Sequence, residues 1–427
     1  MTFQSRVFIA AILIVLLCSQ FLYATPSSRL SSGHQAEPSH SLRAARQIDD
    51  FAIKDGDRIV FYGDSITEQR LYTTYVEHYV LTHYPDRRVT FINTGWGGDK
   101  VTGNDCKPCA GVGGFARIKR DVIDHRPTVV TLLFGMNDGQ YRDFDPAILK
   151  VYEDGLAAII RELKSKTRAR IYVMTPTVYD GTRHTSWSHT DRYNEVLDRY
   201  SDAAKQIAAR EGLPVIDLHT VTTEALRQAK KDDPNYTLAK DGVHPEEDGQ
   251  LLMAAEILRA WGAPKDGLEL NEQARLGENQ SASFTVSAPL QWPQPMPSEN
   301  LRKVSPQIIR LGEVRLRLAG LPSGKYKVAV DGKDAGEYAA DALAAGIAIS
   351  SLSEKAAEQS RAVVNLIRKR ADFFFMRWRQ IELPLAAEYK TAANVVSSFD
   401  ALIVEMQERA RLLAALHKYQ LVISRVQ

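Results

Sequence analysis

Between residues 48 and 262, five short apolar runs, "RIVFY", "RVTFIN", "TVVTLLF", "RIYVMTP" and "PVIDL", alternate with stretches of helical period. No other feature limits the possible folds as much. None of the runs alternates strictly between apolar and polar residues, so each suits a parallel strand buried on both faces. The segments between them include "DPAILKVYEDGLAAIIRELKSK" and "RYNEVLDRYSDAAKQIAAREG", the second stopping at Gly212, a natural helix C-cap. A final helix, "PEEDGQLLMAAEILRAWG", closes the unit near Gly262. This succession predicts an open parallel sheet with helices on both faces. In such sheets the reactive groups gather beyond the carboxyl ends of the strands.

The first run breaks at Gly63 and sets Ser65 two residues further on, in "IVFYGDSITEQR". A serine there is either a nucleophile on a strand-to-helix turn or a helix cap. The nucleophile needs a base for its proton and donors for an oxyanion. "KDGVHPEEDG" supplies His244 three residues after Asp241, so the carboxylate can hold one ring nitrogen while the other faces out. Alone, that loop is an Asp-Gly turn beside an exposed histidine. "FINTGWGGDKV" follows the second run, and its glycines let a backbone N–H approach a ligand closely. "LLFGMNDG" follows the third run and offers Asn137, a neutral amide donor. A tight turn and a cap would explain these two segments singly. Their joint occurrence, in this order, at the ends of predicted strands points to acyl-transfer chemistry.

These blocks resemble those of the SGNH, or GDSL-type, hydrolases, named for a Ser, Gly, Asn and His in separate motifs. "GDSI" matches the first block and implies Ser65 as nucleophile; "NTGWGGD" matches the second and implies Gly98 as an oxyanion donor, with Gly95 and Gly97 close by. "GMND" gives Asn137, and "DGVHP" gives Asp241 and His244. The resemblance implies a three-layer α/β/α flavodoxin-like domain with a five-stranded parallel sheet. It also implies a Ser65–His244–Asp241 triad, an oxyanion hole of Ser65, Gly98 and Asn137, and no metal or organic cofactor. Ile66 stands where the family name has Leu. The insert "CKPC" after the glycine block is a departure; Cys106 and Cys109 form a candidate disulfide or a redox pair.

The expected substrate is a small ester, with an acetylated carbohydrate favoured by the lack of an obvious apolar lid. Lipase-, phospholipase- or thioesterase-like hydrolysis within the family is the alternative. A non-catalytic envelope-binding protein or a scaffold working through its tail is the reading from other classes. Trp96 and the loop after the fourth strand, with Tyr179, His184, Trp187 and His189, are candidates for holding a sugar or acyl group, or for packing that loop onto the domain.

The formal net charge of +2 gives no reason to expect nucleic acid or an anionic membrane as partner. Residues 1–24 read as an export signal: Arg6, then "VFIAAILIVLLCSQFLYA", with a small residue, Ala24, at its end. An uncleaved anchor is the rival reading. After cleavage no membrane span is expected, and the protein would be periplasmic or extracellular. A flexible linker is expected over 25–48, the hydrolase domain over 49–265 and a β-rich segment over 266–345. A helical segment over 346–427 completes the chain, with Arg361, Arg368, Lys369 and Arg370 as a solvated basic face.

Overall fold

The computed structural model describes residues 41–43, 50–102, 112–183 and 192–426. The N-terminal apolar run, Cys106, Cys109, His184, Trp187 and His189 lie outside them. Strand β1 (Ser41–Arg43) falls within the stretch expected as linker. It is followed by β2 (Arg58–Gly63), β3 (Thr90–Asn93), β4 (Val129–Leu133), β5 (Arg170–Met174) and β6 (Val215–Ile216). The last five form one sheet in the order β3-β2-β4-β5-β6, every pair parallel. β4 is buried at every position and β2 at all but its first, as continuous apolar runs require.

Because βαβ crossovers are right-handed, reversing the direction of strand addition moves the connecting helix to the other face. Leu71–His83, which leads leftward from β2 to β3, packs on Glu247–Ala260. Pro146–Lys166 and Tyr193–Glu211, which lead rightward, pack on each other, and the first also meets Gly114–Asp121. The order reverses between β2 and β4, and the crevice beyond their carboxyl ends is where ligands of such sheets bind.

The chain continues with β7 (Leu268–Gln273), β8 (Ser281–Ala288), β9 (Val314–Ala319), β10 (Lys325–Val330), β11 (Lys333–Ala339), β12 (Ile347–Ala348) and β13 (His417–Arg425). β10 and β11 form an antiparallel hairpin that turns at Asp331-Gly332. β9, however, pairs in parallel with β7, and β13 lies between β8 and β10. Strand β13 corrects the all-helical expectation for the end of the tail. Its alternation of exposed and buried residues, with Tyr419, Leu421 and Ile423 inside, is an ordinary half-buried pattern. Between β12 and β13 run helix Glu354–Phe375, a π-helical stretch Met376–Glu382, a short turn at Leu383–Leu385 and helix Lys390–Leu413.

Residues 40–427 form one compact unit, and the tail is joined to the part built on the parallel sheet by polar as well as apolar contacts. Helix Leu71–His83 has polar residues, Glu77 and His78, buried among apolar ones because the tail covers them. Arg370 donates to the Glu77 carboxylate at 2.5 Å, both side chains buried, and His78 Nε2 lies 2.9 Å from Ser360 Oγ. Burial raises Glu77 against the opposing pull of Arg370, and it lowers His78 to about 3, so that ring is neutral. Arg370 therefore departs from the expected solvated face, whereas Arg361 remains exposed and pairs with Glu354. Separating the pair would strand a buried charge, so it ties the tail helix to helix Leu71–His83 in one register.

Candidate active site

Gly63 ends β2, and the short helix Ser65–Glu68 begins at once. Asp64 is its N-cap: its side chain accepts from the Ile66 N–H at 2.9 Å. Because Asp64 does the capping, the Ser65 hydroxyl is not needed for it. Ser65 Oγ lies 2.8 Å from His244 Nε2, and His244 Nδ1 lies 2.6 Å from Asp241 Oδ2. The other Asp241 oxygen accepts from the backbone N–H groups of Val243 and His244, which folds the loop around its own carboxylate. Burial pushes the Asp241 carboxyl up, but His244 and these N–H groups outweigh it and hold it below the ordinary carboxylate value. Asp241 is thus held as the ionised partner of the His244 ring.

The glycine block lies against the serine turn. A Cβ on Gly95 would stand 2.2 Å from the Glu68 backbone nitrogen, so only glycine permits this approach. Gly98 has φ +74°, the left-handed region that glycine enters without strain. Asn137 is buried; one amide N–H donates to the Asp99 carbonyl at 3.0 Å, and its oxygen accepts from the Tyr141 hydroxyl at 2.7 Å. Its orientation is thereby fixed with a second N–H to spare.

Arg117 is a residue that sequence reasoning missed. Its guanidinium is fully buried and donates to Asp99 Oδ2 at 2.5 Å, the Thr94 carbonyl at 2.6 Å and the Gly63 carbonyl at 2.9 Å. One side chain thus joins the residue before Asp64–Ser65 to both ends of the glycine block. Burial works against its charge, but Asp99 and Asp121 among its neighbours more than compensate. In the sequence it sits in "GFARIKRD", beside Lys119 and Arg120, and only the apolar positions around it hinted at an inward face.

Of the residues proposed to hold substrate, Trp96 is half-buried under the tail: the Arg379 guanidinium lies 3.3 Å from its ring centroid, and Trp378 meets it edge-on. Tyr179 is 4% exposed and packs edge-on against Tyr193, which makes it a core residue and not an open sugar platform. Its segment braces the histidine loop, the Asp180 N–H donating to the Gly242 carbonyl at 2.9 Å. An open cavity of about 620 Å³ lies over Ser65 and His244. Glu68, Arg70 and Lys240 line it with Phe375, which arrives from the tail.

Asp64 also carries a prediction. Burial raises its carboxyl to about 8, helped by Asp138 and Asp99 and opposed by the Ile66 N–H and Arg117. A carboxyl raised from its ordinary 3.8 favours the folded state most strongly below about pH 4. That contribution is lost as pH climbs to about 8, at a slope of up to about 1.4 kcal/mol per pH unit. Asp64→Asn keeps an acceptor for Ile66 without the proton. Urea unfolding from pH 5 to 8 is expected to show the wild type losing stability relative to this variant; parallel profiles would contradict it.

Residues 61–252 match the model of the GDSL-like lipase/acylhydrolase family. The chain is similar to an acetylxylan esterase of Geobacillus stearothermophilus, 28% identical over 231 residues, covering 49% of this chain and 96% of that protein. It is also similar to the isoamyl acetate-hydrolyzing esterase 1 homolog of Homo sapiens, 30% identical over 144 residues, 31% of this chain and 54% of that one. Among solved structures, a gut microbial diltiazem-metabolizing enzyme is 20% identical with a TM-score of 0.72, covering 88% of this chain and 100% of its own. That likeness shows a shared fold, one that reaches past the hydrolase region into the tail. Residues 61–252 form a GDSL-like lipase/acylhydrolase domain, and that domain makes the protein an ester hydrolase.

Proposed function

We propose that the protein is a serine esterase that removes a small acyl group, acetyl above all, from a carbohydrate ester. One observation carries this reading: the hydrogen-bonded line from Asp241 through His244 to Ser65 at the mouth of an open cavity. Ser65 Oγ attacks the ester carbonyl carbon as its proton passes to His244 Nε2, and the Asp241 carboxylate steadies the imidazolium. The backbone N–H groups of Ser65 and Gly98 and the Asn137 amide receive the oxyanion. Collapse breaks the bond to the alcohol oxygen, which leaves with the proton from His244. Water then gives a proton to His244 and attacks the acyl-serine. The second collapse returns that proton to Ser65 Oγ and frees the acid.

Apart from Phe375, the side chains that line the cavity are charged or polar, which suits an alcohol bearing hydroxyl groups. The acetylxylan esterase likeness points the same way. The basic, apolar, small and polar order of the N-terminal segment supports an exported protein, periplasmic or extracellular.

The test is turnover of p-nitrophenyl esters from acetate to palmitate, together with labelling by a fluorophosphonate located by peptide mass spectrometry. Acetate is expected to be turned over fastest, with rates falling as the chain lengthens, and the label is expected on Ser65. A preference for palmitate would overturn the small-acyl reading, and a label elsewhere would overturn the nucleophile.

A further inference from the structure

Helix Glu354–Phe375 ends at the catalytic cavity, where Phe375 shares the lining with Ser65 and His244. Among the described residues that line this cavity, Phe375 is the one apolar side chain. Its ring is half-buried, with the Arg70 guanidinium 4.5 Å from its centroid. Arg70 is held there by Asp372 on the same tail helix, at 3.1 Å, and by the Glu68 carbonyl at 2.6 Å.

The position of the ring is fixed from the other side as well. The π-helical stretch that follows carries Trp378 and Arg379 onto Trp96 in the glycine block, and Arg379 Nη1 lies 3.3 Å from Glu68 Oε1. π-Helical turns are costly and cluster where a side chain must be placed for function. Here the turn anchors the tail to both segments that build the acyl-transfer site, the serine helix and the glycine block. A partly exposed aromatic ring flanked by Arg70, Glu68 and Lys240 presents two complementary surfaces. Arg70 lies over the ring at 4.5 Å and Arg379 at 5.7 Å, so it is the part of the ring left open to the cavity that can receive the C–H side of a pyranose, while the charged groups bond the hydroxyls at the sugar's edge.

We propose that Phe375 is a specificity-determining residue of the acyl-transfer site, a platform from the tail on which the sugar ring of an acetylated pyranose lies while Ser65 attacks its ester. The tail is then part of the active site. This rests on the serine-esterase reading and extends it to the alcohol half of the substrate.

The experiment compares kcat/KM for fully acetylated xylose with that for methyl acetate, whose alcohol has no ring. It uses wild type, Phe375→Ala, Phe375→Leu and Phe375→Tyr in the full chain, with thermal melting to confirm folding. Phe375→Ala is expected to lower the xylose-ester to methyl-ester ratio about tenfold, chiefly through KM. Leucine should not restore it, and tyrosine should. A displaced tail that merely disturbed Ser65 would slow both esters alike and leave the ratio unmoved. A ratio within twofold of wild type in folded Phe375→Ala, or full restoration by leucine, overturns the assignment alone. Failure of the wild type to turn over either ester would overturn the serine-esterase reading, and this inference with it.

Discussion

Ser65→Ala and His244→Ala are each expected to lower kcat on p-nitrophenyl acetate by on the order of 10⁵- to 10⁶-fold, and the double replacement to cost little more. In the proposed mechanism the hydroxyl and the ring act as one unit across their 2.8 Å contact, so removing either would leave the other without a task. Binding and the oxyanion donors would survive, which confines the loss to kcat. Asp241→Asn is expected to cost less, on the order of 10³- to 10⁴-fold, because an amide at that position can donate to Nδ1 and select the wrong tautomer. Partial exposure of the Asp241 side chain, 43%, lets water soften that effect. Steady-state rates decide it. A single-variant loss below a hundredfold, or double-variant losses that multiply, would remove the triad from the mechanism.

Arg117→Met is expected to destabilise the fold by about 3–5 kcal/mol in urea unfolding. The substitution leaves Asp99 with no guanidinium in a fully buried setting and strips donors from the Gly63 and Thr94 carbonyls. It should also reduce kcat, since those carbonyls belong to the segments that present Ser65 and Gly98. Arg117→Lys retains the charge but not the planar fork, so it should recover part of the stability and little of the geometry. The companion variant Asp99→Asn/Arg117→Met removes the stranded charge. If it is no more stable than Arg117→Met alone, unpaired burial is not the cause of the loss.

The hydrolase sheet was legible because its signals are local. An apolar run of five residues, a glycine, and a chemistry-bearing residue within a few positions recur along the chain, and each can be read without knowing its neighbours in space. Ser65 and Asn137 stand at such positions, while Asp241 and His244 are read from their own short motif in the loop before the last helix. Arg117 escaped because its meaning lies in carbonyl and carboxylate partners on the end of β2 and on the glycine block, far from it in sequence, while its helix looks basic like many surface helices. Tyr179 stayed open between substrate contact and packing, because an aromatic residue in a loop looks available until the fold buries it, as it does here. Phe375 was beyond reach, since nothing near it in sequence points to a serine more than three hundred positions earlier. Strand β13 had the right alternation, but the helical period just before it masked the change. Its partners, β8 and β10, lie on the far side of the whole helical excursion.

That placement of β13 has a mechanical consequence. The helices carrying Phe375 are not a free arm. They leave the protein body just after β12, which is paired to β9, and return into β13, which is zipped on both edges at the middle of its sheet. Moored at two ends, the excursion can lift from the cavity only by stretching its own loops or by unzipping a central strand, the harder of the two. A mouth built this way acts as a fixed gauge, passing or refusing esters by shape rather than by opening, and its dimensions would be reset by substitution more readily than by motion.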